Sequence, residues 1–192
     1  MKKVALNNFQ LDHLAQSDPK LSQVFYRTVP CDKLPSLVLK EGPTAFIVNT
    51  DPSHEPGRHW IALWTEGNVC QVMDSYGVSL DVYGTADPIK EWINRHFKYQ
   101  LVNEKSLQSL FSQSCGDYAL MFLVYKANGH SMNEFLDLFS SHDFVGNDRK
   151  VGHWLRHRII DALAWKEICE TPCQQDTWKS RPHGIYDLLH LY

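Results

Sequence analysis

The chain has 192 residues, 43% of them hydrophobic and 12% aromatic, with a formal net charge of −3. Large apolar side chains at this level exclude a disordered chain, and the length suits one sizeable core, so a single domain over residues 1–192 is expected, with 170–192 as a loosely packed tail. The slight negative charge excludes a global attraction to phosphate backbones or anionic lipid, and no run approaches the roughly 20 apolar residues that cross a bilayer.

Residues 1–40 mix short helical patterns with turn signals, which Lys40-Glu41-Gly42-Pro43 ends. Thr44-Ala45-Phe46-Ile47-Val48-Asn49 reads as a buried strand, followed by the polar loop from Asp51 to Arg58. The runs His59 to Thr65 and Val69 to Asp74 read as two further strands around a tight turn. A turn at Glu66-Gly67 pairs Thr65 with Asn68 and sets His59 opposite Asp74, with Cβ atoms about 4.5–5.5 Å apart, inside the reach of a carboxylate–imidazole hydrogen bond. A turn centred on Gly67-Asn68 shifts the register by two and sets Tyr76 opposite His59 instead. Both registers remain open at this point.

Asp87-Pro88 followed by Ile89, Trp92, Ile93 and Phe97 reads as an amphipathic helix with proline in its tolerated first turn. Tyr99 to Val102 is a further strand, and Asn103 to Ser114 a polar loop without helical periodicity. That loop delivers Cys115 to the start of the apolar helical run Ala119-Leu120-Met121-Phe122-Leu123-Val124. A thiol at a helix start lies at the positive end of the peptide dipoles, among amides with no intrahelical acceptor, which suits a nucleophilic sulfur. Phe122, Leu123 and Val124 are core. Ser131-Met132-Asn133-Glu134 has the capping-box pattern, and Val151 to Ile168 is another helix.

Cysteine acyl-transfer chemistry requires a thiolate to attack the carbonyl, an imidazole to take and return the proton, and donors to hold the oxyanion. Cys115, His59 and Asp74 fit the first roles, in the order His, Asp, Cys. Gln108 and the Cys115 backbone N–H fit the donors, with Gln113 as the rival side-chain donor. A carboxylate at Asp74 would hold one imidazole hydrogen and stabilise the imidazolium. Each residue alone has a plainer reading: Cys115 as packing, His59 as a structural strand residue, Asp74 as a turn cap.

Five cysteines form an odd set, and no charged-then-apolar leader precedes them, which fits an intracellular, reducing site. Ten histidines and the pair Cys169 and Cys173 lack the second paired motif that a zinc site needs, so no metal is expected. Arg149, Lys150, Arg156 and Arg158, with His153 and His157 between them, make the one dense basic stretch. It reads as a solvated helix face through which weak nucleic-acid contact could be made.

Several segments together carry a resemblance: Phe46-Ile47-Val48-Asn49-Thr50, Gly57-Arg58-His59-Trp60, Asp74-Ser75-Tyr76-Gly77, Glu104-Lys105-Ser106, and Gln108 followed by Cys115-Gly116. Over about residues 44–127 the chain resembles the adenain family of adenovirus maturation proteases and, more distantly, the thiol proteases that remove SUMO-like modifiers. The resemblance implies an α+β fold of papain-like, adenain-like architecture, with a central mostly antiparallel sheet packed against the nucleophile helix. It implies His59 as base, Asp74 as third member, Cys115 as nucleophile and Gln108 in the oxyanion hole.

The resemblance also implies viral or mobile-element precursors as substrates, cut at or near Gly-Gly, with Trp60 as a wall leaving room only for small residues. A monomer is expected, located in the host nucleus or virion if the source is viral. The family's viral member has Glu where this chain has Asp74. That enzyme is activated by a peptide joined through a cysteine where this chain has Tyr99-Gln100-Leu101, and by DNA, which an acidic chain would bind less well; neither cofactor is required by this sequence. The alternatives are a ubiquitin- or SUMO-like modifier deconjugase and an inactive module that holds Gly-Gly tails or DNA.

Overall fold

A computed structural model of the chain describes residues 5–39 and 41–166, with side chains described through residue 160. Five strands, β1 (Phe25–Pro30), β2 (Thr44–Asn49), β3 (Trp60–Glu66), β4 (Val69–Met73) and β5 (Tyr99–Val102), lie in the spatial order β1-β2-β3-β4-β5. The three central strands are antiparallel, as expected, and each edge strand runs parallel to its neighbour, so the sheet is mixed. With helices α1 (Asn8–Ser17), α2 (Asp87–His96), α3 (Cys115–Ala127), α4 (Met132–Asp137) and α5 (Phe144–Lys166), the fold is α+β.

Side chains alternate across a pleated strand, and β2 and β3 are apolar on both faces because both faces are covered. Ala45, Ile47, Trp60, Ala62, Trp64 and Met73 join the cluster formed with α1, α3 and α5. Phe46, Val48, Ile61, Leu63, Cys70 and Val72 join the opposite cluster with Ile89, Trp92 and Ile93 of α2. Residues Cys115 to Val124 of α3 are buried on every side of the helix, which is why that run shows no polar stripe.

The hairpin takes the second of the two registers. Thr65 pairs with Cys70 and Glu66 with Val69, which centres the turn on Gly67-Asn68, so His59 is not directly opposite Asp74. Gly67 has φ +56, and the hairpin turn that wants glycine at its first central position places it there. The ladder ends at Ala62–Met73, and Asp74 starts a turn in which the Gly77 N–H donates to the Asp74 carbonyl at 2.9 Å.

Two elements depart from the reading of the sequence. Strand β1 lies in a segment read as helical patterns and turns; it is an edge strand, closed by Pro30, and its parallel partner is distant in sequence. Helix α5 begins at Phe144 rather than Val151, because Asp143 caps it by accepting from the Gly146 N–H at 2.8 Å, ahead of weak helix formers Gly146 and Asn147. The tail expected at 170–192, with Cys169 and Cys173, lies outside the described residues. Among the described residues no helix is long and apolar enough to cross a membrane.

Candidate active site

Cys115 opens α3, and α3 packs across β3, whose first residue follows His59. That packing brings the thiol and the imidazole together from distant parts of the chain. His59 Nε2 lies 2.9 Å from Asp74 Oδ1, and the Cys115 sulfur lies near enough to the same ring to act on its charge. Burial alone would pull the His59 pKa down. The hydrogen bond to Asp74, with the carboxylate and the nearby Cys115 sulfur, outweighs it and lifts the pKa to about 9.

The carboxylate of Asp74 is fully buried, and its oxygens are spoken for. Oδ1 also accepts from the Tyr76 N–H at 2.8 Å, and Oδ2 accepts from the Tyr83 hydroxyl at 2.7 Å. Asn103 clamps the backbone of the same residue: its Oδ1 accepts from the Asp74 N–H at 2.7 Å, and its Nδ2 donates to the Asp74 carbonyl at 2.7 Å. The carboxylate therefore cannot swing away from the ring without breaking several bonds.

Two phenol rings stack on the imidazole, Tyr76 at 4.9 Å between centroids and 23° between planes, and Tyr83 at 5.2 Å and 17°. Electron-rich ring faces favour an imidazolium over neutral imidazole. Tyr76 reaches His59 from the turn beyond the end of the ladder, the same turn that carries Asp74.

Gln108 is 2% exposed and lies in the same cluster. Its Oε1 accepts from the Ser75 hydroxyl at 2.6 Å, and its Nε2 donates to the Ser112 carbonyl at 2.9 Å and to the Tyr76 hydroxyl at 3.3 Å. A carbonyl can only accept, so the Ser112 contact decides which end of the amide is nitrogen. Gln113 is exposed, on an open cleft of about 290 Å³ bordered by Phe111, Ser114, Val145 and Arg149.

No family model matches the chain, and none of the curated proteins compared with it matches. Among solved structures, the crystal structure of the ASFV pS273R protease superposes with a TM-score of 0.53 at 16% identity, over 69% of this chain and 61% of that one. A selenomethionine form of the same protease gives a TM-score of 0.55 at 16% identity, over 77% of this chain and 66% of that one. The likeness is one of fold, an α+β arrangement around a five-stranded mixed sheet. This chain spans less than two thirds of the length of either.

Within this fold, Trp60 is only 8% exposed, with Nε1 donating to the Leu6 carbonyl at 3.1 Å. It packs beside Gly116, where an added Cβ would lie 3.4 Å from Trp60 Cδ1. On α5, Lys150 donates to the Leu138 carbonyl, and Arg158 pairs with Asp18 at 3.1 Å and lies over the Trp154 ring. Arg149 borders the cleft. Among the described residues, no cluster of His, Cys, Asp or Glu is arranged to hold a metal ion.

Sequence reasoning offered Tyr76 as a neighbour of His59 in one of the two registers it left open, and missed Tyr83, Asn103 and Ser75 outright. Tyr83 and Asn103 reach the site from segments whose local sequence carries no periodic pattern.

Proposed function

We propose that this chain is a cysteine endopeptidase that cuts polypeptides at or near Gly-Gly through an acyl-enzyme. The observation that carries this reading is one imidazole hydrogen-bonded to a buried carboxylate and lying beside a thiol at a helix start. The superposition on a viral protease supports the class, and the resemblance in the Gly-Arg-His-Trp and Asp-Ser-Tyr-Gly segments supports the cut site.

In the first step the Cys115 thiolate attacks the scissile carbonyl, an S–C bond forms, and the carbonyl π pair moves to oxygen. The oxyanion is held by the Cys115 N–H, which heads α3 without an intrahelical acceptor, and by the Gln108 cluster. When the C–N bond breaks, the imidazolium of His59 gives its proton to the leaving amine. Water then attacks the thioester, the imidazole takes a proton from it, and the thiolate departs. Asp74 keeps Nε2 protonated throughout, which directs these transfers to Nδ1.

Trp60, adjacent to His59 and fixed by Leu6, is the wall that would favour small residues at the cut, and the exposed Leu110 and Phe111 offer apolar contact to the substrate chain. Viral or mobile-element precursors are the substrates that the resemblance favours. No activating peptide or DNA enters this reading, because this chain has Tyr99-Gln100-Leu101 where the resemblance would place the peptide's cysteine partner, and a net charge of −3.

The test is hydrolysis of Gly-Gly-containing peptides by the wild-type protein and by Cys115→Ala. Cleavage abolished by the substitution, with the folded CD spectrum retained, is the expected result. Cleavage that persists in Cys115→Ala removes the nucleophile assignment. Reaction with a ubiquitin-like modifier carrying a C-terminal Gly-Gly electrophile, but with no peptide, makes the protein a deconjugase instead. Inertness toward both would make it a binding module.

A further inference from the structure

The buried amide of Gln108 has no hydrogen left to give to a substrate. One hydrogen of Nε2 is bound to the Ser112 carbonyl at 2.9 Å and the other points to the Tyr76 hydroxyl at 3.3 Å, while Oε1 takes the Ser75 hydroxyl. At 2% exposure the amide also has little surface through which a substrate oxygen could reach it. Tyr76 is different. It is half-buried, its ring lies against the His59 imidazole, and its hydroxyl accepts from Gln108. A phenol that accepts one hydrogen bond still has its own hydrogen to donate. Among the described residues that hydrogen has no acceptor.

We propose that the Tyr76 hydroxyl is the side-chain donor to the oxyanion, and that Gln108 is a positioning residue that acts through it. This rests on the endopeptidase reading of the site. The order is Gln108 N–H to Tyr76 oxygen, then Tyr76 O–H to the charged oxygen of the tetrahedral intermediate, with the Cys115 N–H as the second donor. Donation into the phenol oxygen polarises its O–H, so the two bonds reinforce each other. Burial, and then the negative charge on Cys115, Asp74 and Asp148, push the phenol pKa up, which keeps the hydroxyl protonated and a donor. Serine and asparagine at the same position could not reach as far while stacking on the ring, so the aromatic side chain serves both the base and the oxyanion.

Two reactions of Cys115 separate this role from nucleophile activation. Alkylation by iodoacetamide forms an S–C bond as iodide leaves, and no oxygen gains charge. Addition to a peptide ending in glycinal forms an S–C bond as the carbonyl π pair moves to oxygen, which needs the donors. Tyr76→Phe keeps the ring on His59 and removes only the hydroxyl. Its alkylation rate and pH profile should match wild type, whereas its glycinal dissociation constant should rise about 10- to 100-fold.

Gln108→Ala, checked for folding by its alkylation rate, should show a loss of the same order, and the double variant should lose little more, because the two groups act in series. Unchanged or tighter glycinal binding in Tyr76→Phe overturns the proposal, and so do losses that add in the double variant. Failure of wild-type Cys115 to react with either reagent overturns the endopeptidase reading itself.

Discussion

His59 and Asp74 are hydrogen-bonded at 2.9 Å although they do not face each other across the hairpin that carries them. The contact is made where β4 has ended, by a carboxylate leaving the ladder and held by the Tyr76 N–H, the Tyr83 hydroxyl and the Asn103 clamp. Asp74→Asn keeps the shape but presents an N–H or a weaker acceptor to Nε2, which disfavours the tautomer the mechanism needs. On the endopeptidase reading, kcat should fall about 10⁴-fold with little change in KM. A loss below about tenfold in steady-state kinetics would remove Asp74 from the mechanism.

The pH dependence follows from the same pair. His59 has its pKa lifted from 6.5 to about 9 in the folded protein, so the stability this group contributes is complete below about pH 6.5 and is lost as pH rises through about 9. Peptide hydrolysis should have an alkaline limb near pH 9, where the imidazolium that protonates the leaving amine disappears. In Asp74→Asn that limb should move toward neutral pH. An alkaline limb that stays in place would show that the carboxylate does not act on the ring.

Asn103 is a test of backbone placement. Asn103→Leu has similar volume and removes both bonds to the Asp74 backbone, along with the Nδ2 bond to the Lys105 carbonyl at 3.0 Å. A misplacement of about 1 Å at such a site costs on the order of 10²-fold in rate. The expected outcome is a kcat loss of that size in a protein that still unfolds cooperatively, measured by calorimetry beside the assay.

Gly77 closes the turn that carries Asp74, Ser75 and Tyr76. It has φ +64, and a Cβ there would lie 2.6 Å from the Lys105 carbonyl carbon and 2.7 Å from the Ser106 nitrogen, both backbone atoms. Gly77→Ala should therefore destabilise the fold by roughly 2–5 kcal/mol, from backbone strain plus overpacking. Denaturant titration measures it, and a change below about 1 kcal/mol would contradict the geometry.

Phe111 is 99% exposed on the loop that precedes the nucleophile. Its removal should leave stability within about 0.5 kcal/mol of wild type. If the substrate chain packs on it, KM for a polypeptide rises about tenfold in Phe111→Ala while kcat holds. Equal KM values would place the substrate elsewhere.

Much of the frame was legible because its signals are local. The apolar run of β2, the first-turn proline of α2 and the capping box before α4 each act within a few residues, and each element stands where those residues put it. Strand β1 depends on a parallel neighbour brought in by a long connection, and short-range pattern cannot convey that. Register counting set Asp74 against Tyr76 as the residue facing His59, whereas both meet the ring from a turn beyond the ladder's end, which no register conveys. Tyr83 and Asn103 are polar side chains whose purpose exists only after the sheet and its loops have closed.

Being wedged by two phenols with one nitrogen tied down leaves the His59 ring no freedom to flip between half-reactions. On the endopeptidase reading, the departing amine and the incoming water must then use the same nitrogen in succession, so the first product vacates before the second reactant enters. A dissolved amine would compete with water for that single berth, and the enzyme would join peptides as well as cut them.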